Sequence, residues 1–309
     1  DGLAEEVRAT LARNAGLLVM AQASSAQFRD RADDARSIAD KLGVTYLLAG
    51  SVRRAGEKVR VAADLIDGDS GFSRWSQTFE RRLDDIFGVQ SEIATTVAAE
   101  IIARVETGGA PPEPGRETLD SGGTQDLAAF DAYLRGRALY DLSVDEASEL
   151  AALAQFDAAI AADPAFARAH AARARSLTAI ANQYADLDRR NGLYEAAIAS
   201  AARAIDLAPD LADAHSTLGF TLFQGQLDAK AARVPFERSA TTGAGEATVM
   251  ARYAQYCARV GRDRAATRAM QRAVLLDPLN PLIHRAAASV EYAARRYAES
   301  LPPLRQALA

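Results

Sequence analysis

From Leu127 to its end the chain repeats one pattern of apolar and polar positions. Ala152, Phe156 and Ala159 precede Pro164; Ala197, Ala201 and Ala204 precede Pro209; Ala232, Phe236 and Ala240 precede a turn containing Gly243; Ala266, Met270 and Ala273 precede Pro278. Spacings of three and four residues place each set on one face of a helix. Alanine there lets paired helices approach closely, while the larger residue fills the gap between them. Each of the three prolines is followed six residues later by a histidine, His170, His215 and His284, and the chain holds no others. The proline steps equal the histidine steps, 45 and then 69 residues. One register therefore runs through the segment, and 69 is about two units of 34 while 45 is one unit with an insertion of about 11. Five helix pairs are predicted, over 127–164, 165–209, 210–244, 245–278 and 279 to the end. The larger insertion is expected in a loop around Tyr184 to Leu193. The fifth unit lacks a closing proline and a polar capping helix, so more helix is expected to follow in a longer parent chain.

Residues 1 to about 106 read differently, as alternating helix and strand. Leu3, Val7 and Leu11 recur at helical spacing, Leu17-Leu18-Val19-Met20 is a short apolar run, and Ala35, Ile38, Ala39 and Leu42 fit a helix ended by Gly43. Val44 to Arg53 and Lys58 to Ile66 form a predicted hairpin around Ala55-Gly56-Glu57. Asp67-Gly68-Asp69-Ser70-Gly71 turns into a third strand around Phe72 to Phe79, and Ile86 to Val105 reads as a long helix. The whole is a small α+β domain. Residues 107–126 carry Gly108-Gly109, Pro111, Pro112, Pro114 and Gly122-Gly123 without apolar periodicity, and are read as a linker.

Composition narrows the classes of function. With 49% hydrophobic and 25% charged residues among 309, the chain is of ordinary globular make-up. Its net charge of −5 gives no global attraction to nucleic acid, and no run is long enough to insert in a membrane. A single cysteine, Cys257, excludes an internal disulfide framework and a cysteine-based zinc site. That cysteine falls in a buried apolar slot, where a thiol is inert. The histidines share one repeat phase, which spaces them along the array instead of converging them on a metal. Asp64, Asp67 and Asp69 with Gly68 and Gly71 lack the order of a calcium loop and are read as a turn. Trp75 is read as a packing residue on the sheet face. With no nucleophile, metal set or phosphate loop in view, neither enzyme nor cofactor is expected, and catalytic, cofactor and metal sites are read as none.

The repeat half resembles the tetratricopeptide family over about 180 residues: His215, Leu218 and Gly219 match its consensus slots in a first helix, with Ala174, Ala254 and Ala288 in the glycine slot of other units. The resemblance implies an all-α, right-handed solenoid of helix-turn-helix repeats that binds peptides or protein surfaces. The first half resembles the TolB amino-terminal-like (FlgO-like) domain. That likeness is carried by Asp1-Gly2-Leu3-Ala4-Glu5-Glu6, Ala39-Asp40-Lys41-Leu42-Gly43-Val44, Leu48-Ala49-Gly50-Ser51-Val52-Arg53-Arg54, Val61 to Asp67, Arg74-Trp75-Ser76 and Asp85-Ile86-Phe87-Gly88-Val89-Gln90. It implies a missing first strand. It also implies a parent in which such a region follows a nucleotide cyclase or a CadC-type winged-helix regulator, any cyclase chemistry belonging to that separate domain.

Projecting the family's concave surface onto the chain gives Arg137, Tyr140, Arg168, Arg175, Phe220, Gln224, Gln255, Arg259, Arg285 and Tyr292, against Asp141 and Asp213 at comparable positions. An arginine-rich groove with aromatic rings suits an acidic or carboxylate-terminated peptide, since guanidinium grips carboxylate with two parallel hydrogen bonds. The same arginines could instead lie over alanine-rich surface and serve solubility. The expected function is a non-enzymatic interaction and regulatory fragment of a larger bacterial signalling protein, with a cell-envelope assembly factor as the alternative. An upstream membrane helix in the parent would place the fragment in the periplasm, and its lack in the cytoplasm.

Overall fold

A computed structural model describes residues 4, 7–8, 11–12, 17–29, 34–55, 58–82, 95–96, 99 and 122–308. The chain divides into two units, Asp1–Glu117 with Leu275–Asn280, and Thr118–Val274 with Pro281–Ala309.

In the first unit, helix α1 (Ala35–Leu42) starts where the Asp34 carboxylate accepts the Ser37 amide and stops at Gly43, whose φ of 65° is open to glycine at little cost. Three antiparallel strands follow in the order β1 (Tyr46–Ala55), β2 (Lys58–Asp67), β3 (Ser73–Arg82). The pairing of β1 with β2 runs from Tyr46 opposite Asp67 to Ala55 opposite Lys58. Strand β2 is central and alternates, with Val59, Val61, Ala63 and Leu65 buried. These pack with Phe79, Val7 and Leu11, and Trp75 leans on the same cluster as the sequence pattern predicts. The run Leu17–Met20 forms no strand; Leu17 and Val19 instead cover the edge of that cluster. In the turn after β2, Asp67 accepts the amide and hydroxyl of Ser70 at 2.8 and 2.7 Å and both Nε and Nη2 of Arg74. The Ser70 bonds, then Arg74, hold its carboxyl down at about 2. Asp67 is thus fully engaged as a turn residue. In the same unit Asp277 accepts the Ser24 amide at 3.0 Å and the Ser24 hydroxyl at 2.5 Å. The helix expected over Ile86 to Val105 and most of the linker lie outside the described residues.

The second unit is an array of helical hairpins: α2 (Leu127–Asp141) with α3 (Glu146–Ala162), α4 (Ala167–Gln183) with α5 (Leu187–Leu207), α6 (Ala212–Gly225) with α7 (Ala229–Thr242), α8 (Ala247–Arg259) followed by α9 (Asp263–Leu276), and α10 (Pro281–Ala293) with α11 (Tyr297–Leu308). Aspartates fix several starts: Asp126, Asp145, Asp186 and Asp228 each accept an amide from the first turn of the helix that follows. The first helices also stack on one another, α2 on α4, α4 on α6, α6 on α8 and α8 on α10, which is the tetratricopeptide arrangement. Two expectations are corrected. The insertion in the second unit is not a loop: Asp186 caps a helix that runs from Leu187 for 21 residues, because the segment keeps helical spacing through Tyr194. In α7 the buried third position is Ser239, one residue before the expected Ala240, which is half-buried; Ser239 satisfies its hydroxyl on the Phe236 carbonyl at 2.9 Å.

In the first and third pairs the seam is set by a glycine against a ring. A Cβ on Gly136 would sit 2.7 Å from Cε1 of Phe156, and one on Gly219 would sit 2.9 Å from Cγ of Phe236; both rings are fully buried. Three short connections share a left-handed residue: Leu227, Gly261 and Arg295 all take positive φ, at 54°, 76° and 60°. The proline–histidine register also has a physical cause. Nε2 of His170 donates to the Pro164 carbonyl at 3.1 Å, and Nε2 of His215 to the Pro209 carbonyl at 2.8 Å, so each ring ties the turn between repeats to the next first helix.

Two outcomes follow for the array. Gly136→Ala should lower stability by about 1–2 kcal/mol in chemical denaturation, the clash with Phe156 exceeding the roughly 1 kcal/mol that alanine adds to a helix; an unchanged midpoint would show that the ring has room. Burial pushes the His170 imidazole below its ordinary value, the carbonyl bond only partly opposing. Between that lowered value and about 6.5 the unfolded chain binds the extra proton, so His170's share of stability is present above that range and declines as pH falls. The melting-temperature drop from pH 7.5 to 5.5 should therefore be smaller in His170→Asn than in the parent protein.

Candidate functional site

The ten candidate residues fall on the five first helices: Arg137 and Tyr140 on α2, Arg168 and Arg175 on α4, Phe220 and Gln224 on α6, Gln255 and Arg259 on α8, Arg285 and Tyr292 on α10. The first seven in chain order, through Gln255, are half-buried, while Arg259, Arg285 and Tyr292 are exposed. Stacking of α2, α4, α6 and α8 brings Tyr140, Arg175 and Phe220 into one network, completed by Asp213, Thr217 and Arg252.

The Arg175 guanidinium lies over the Tyr140 ring, its Cζ 4.7 Å from the centroid, and Nη1 donates to Oδ2 of Asp213 at 3.5 Å. From the other side Nη1 of Arg252 reaches Oδ1 of Asp213 at 3.8 Å and the Thr217 hydroxyl at 3.3 Å, with its Cζ 5.2 Å over the Phe220 ring. Ring, cation, carboxylate, cation and ring thus run across four helices. The side chains of Arg175, Asp213 and Arg252 keep 20%, 27% and 16% of their surface exposed, so the charges are largely withdrawn from water yet reachable from it. Neither arginine grips Asp213 bidentately, and both distances are long for charge-assisted bonds.

One carboxylate serving two cations leaves the electrostatics uneven. Burial works against both guanidinium charges. For Arg175 the Asp213 carboxylate and nearby tyrosines outweigh it, and its pKa ends above the ordinary value. For Arg252 burial prevails, helped by the neighbouring charge of Arg175, and its pKa ends below. Burial likewise raises the Tyr140 phenol. Behind this network Glu149 on α3 accepts the Ser143 hydroxyl at 2.7 Å; its second oxygen and the Nε of Arg175 are buried without a hydrogen-bond partner in the structure. Burial raises the Glu149 carboxyl, with Ser143 and Arg175 opposing.

Two further candidates make ring contacts elsewhere. Arg137 stands near the Tyr133 ring of its own helix, its Cζ 6.0 Å from the centroid. Tyr292 meets Tyr297 edge-on with centroids 5.3 Å apart, at the end of the last hairpin. Two partners were missed by the projection, Arg252 and Thr217, and Asp213 was weighed only as an opposing charge. A signal for Arg252 was present: it lies three residues before Gln255 and seven before Arg259, on the same strip of α8.

The chemistry available here is recognition of charge, with preformed donors on aromatic supports. Cys257 is buried and its thiol is pushed up by burial. Among the described residues no group of three or more histidine, cysteine, aspartate or glutamate side chains could hold a metal ion, and no helix is long and apolar enough to cross a membrane.

No protein-family profile matches the chain. A curated relative from Rhizobium meliloti (strain 1021), named "Putative adenylate cyclase 3", is 32% identical over 223 residues; the match covers 72% of this chain and 36% of the relative, so the chain spans about a third of that protein's length. Among solved structures, a thermophilic tetratricopeptide-repeat protein of Thermus thermophilus is similar at 19% identity and a TM-score of 0.47, over 59% of this chain and 90% of that one. YrrB, described as a TPR protein with an unusual peptide-binding site, is similar at 16% identity and a TM-score of 0.36, over 58% and 84%.

The ring beneath Arg175 should contribute to the stability of the array. Tyr140→Leu is expected to cost about 1–2 kcal/mol in urea unfolding, while Tyr140→Phe, which keeps the aromatic face, should stay within about 0.5 kcal/mol of the parent protein. Equal losses in both variants would assign the stabilisation to the phenol hydroxyl instead.

Proposed function

We propose that this chain is a non-enzymatic regulatory and interaction region. Its helical array holds an acidic or carboxylate-terminated peptide, or such a segment of a protein, on the face built from the first helices. The observation that carries this reading is the pair Arg175 and Arg252: two largely buried guanidinium groups, braced on Tyr140 and Phe220, share a single carboxylate. Guanidinium keeps its charge and offers five donors, so donors remain for a second anion. Arg168 and Arg259, from α4 and α8, would extend the contact along a peptide.

The first unit, in this reading, is a TolB amino-terminal-like domain that reports occupancy of the array to an upstream module. The likeness to a much longer protein named as an adenylate cyclase supports a signalling parent, with the cyclase chemistry in a domain outside this chain. An upstream cyclase or winged-helix module followed by a membrane helix would place this region in the periplasm. A secretion signal alone in the parent reading frame would replace regulation by an envelope-assembly role.

Binding is tested with a fluorescein-labelled hexaglutamate peptide by fluorescence anisotropy, against its hexaglutamine counterpart. The glutamate peptide should bind more tightly, and a variant carrying Arg168→Glu, Arg175→Gln and Arg259→Glu should lose at least tenfold in affinity while keeping its circular dichroism spectrum. Equal affinity in that variant would remove the groove from the account.

A further inference from the structure

We infer that Asp213 is the specificity-determining residue of this surface: a carboxylate of the chain's own that occupies the space between Arg175 and Arg252 and sets how strongly they attract an external anion. The inference rests on the proposed reading of the inner face as an anion-binding groove.

Three observations carry it. The Asp213 oxygens are divided between the two arginines, Oδ2 toward Arg175 and Oδ1 toward Arg252, at 3.5 and 3.8 Å. A residue placed only to neutralise a buried arginine would be expected to form a short, two-point contact with it. Here a carboxylate bridges two cations from flanking helices and satisfies neither fully. Arg175 also keeps a buried Nε with no hydrogen-bond partner in the structure, and Nη1 of Arg252, beside its 3.8 Å approach to Asp213, makes a long hydrogen bond to a neutral hydroxyl, that of Thr217. Finally, Asp213 is the most exposed of the three charges, at 27% of its side chain, so it stands at the surface an arriving ligand meets first.

The arrangement does two opposing things. It holds the guanidinium groups in place and offsets their mutual repulsion, which preorganises the site. It also cancels one of their two positive charges, so the set of Arg175, Asp213 and Arg252 presents one net positive charge in place of two. A second carboxylate entering beside Asp213 feels both the arginines and the like charge of the resident. Between charges a few ångströms apart at a partly exposed site, that repulsion is large enough to change affinity by about tenfold. The groove is thereby tuned toward a ligand that brings a single carboxylate to this point, and away from dense clusters of negative charge.

The experiment compares the parent protein with Asp213→Asn, which keeps shape and hydrogen-bond acceptor but not charge, and Asp213→Glu, which keeps charge. The probes are labelled hexaglutamate and a labelled peptide of alanines with a free carboxyl terminus, titrated by anisotropy at two salt concentrations. Asp213→Asn should bind hexaglutamate about tenfold more tightly and shift preference from the single carboxylate toward the polyanion, with Asp213→Glu close to the parent protein. Unchanged or weaker binding by Asp213→Asn, or an equal gain in Asp213→Glu, would overturn the inference while leaving the groove reading in place. Failure of every protein, parent included, to bind either probe would overturn both. Should Asp213→Asn not fold, Asp213→Ser serves with the same expectation.

Discussion

The close approach of two helices in each repeat is the constraint on which the rest of the array depends. Ala152, Ala159, Ala197, Ala201, Ala204, Ala232 and Ala273 show no exposed surface, and the rings of Phe156 and Phe236 fill the space that such small residues leave. Backbones held at this distance gain contact along their length, and interiors of this density leave little tolerance for an added methyl group. Because a hairpin buries only part of its apolar surface alone, the neighbouring hairpin has to cover the remainder, and the first helices are thereby stacked side by side.

The inner face inherits its chemistry from that stacking. Tyr140, Arg175, Asp213 and Arg252 belong to four helices and are separated by 35 to 39 positions in sequence between neighbours. No local turn or cap brings them together. They meet because successive first helices stack with the same face inward, so Arg175 finds a ring in the unit before and a carboxylate in the unit after, and Arg252 reaches back to that same carboxylate. Each arginine lies against an aromatic ring and the shared carboxylate, on opposite neighbouring helices for Arg175 and on one helix for Arg252, which is how charge can be held where less than a third of the side chain touches solvent.

Where sequence reading succeeded and where it failed has a common explanation. The repeat phase was legible because the residues that mark it are bonded locally: His170 and His215 reach carbonyls six residues earlier, so their spacing is fixed within a single turn and helix start. Gly43 ending a helix and the Asp67 turn were legible for the same reason, their partners lying within a few residues. The pairing of Asp213 with Arg175 and Arg252 was not, since it depends on the distance between helices, which spacing along one helix does not report. The long α5 was missed because an insertion that preserves helical periodicity and follows a good cap extends a helix as readily as it makes a loop.

The left-handed connections carry a last consequence. Positions 227, 261 and 295 fall 34 apart and take positive φ whether the residue is leucine, glycine or arginine, with the turns at 261 and 295 also sharing their hydrogen bonds. The conformation is therefore imposed by the helices on either side and not by the residue that occupies it. Such points are natural seams for cutting and rejoining: a cassette bounded by 261 and 295 begins and ends in the same geometry, so duplicating or excising it changes the length of the array by a whole unit and hands each new neighbour the junction it already fits.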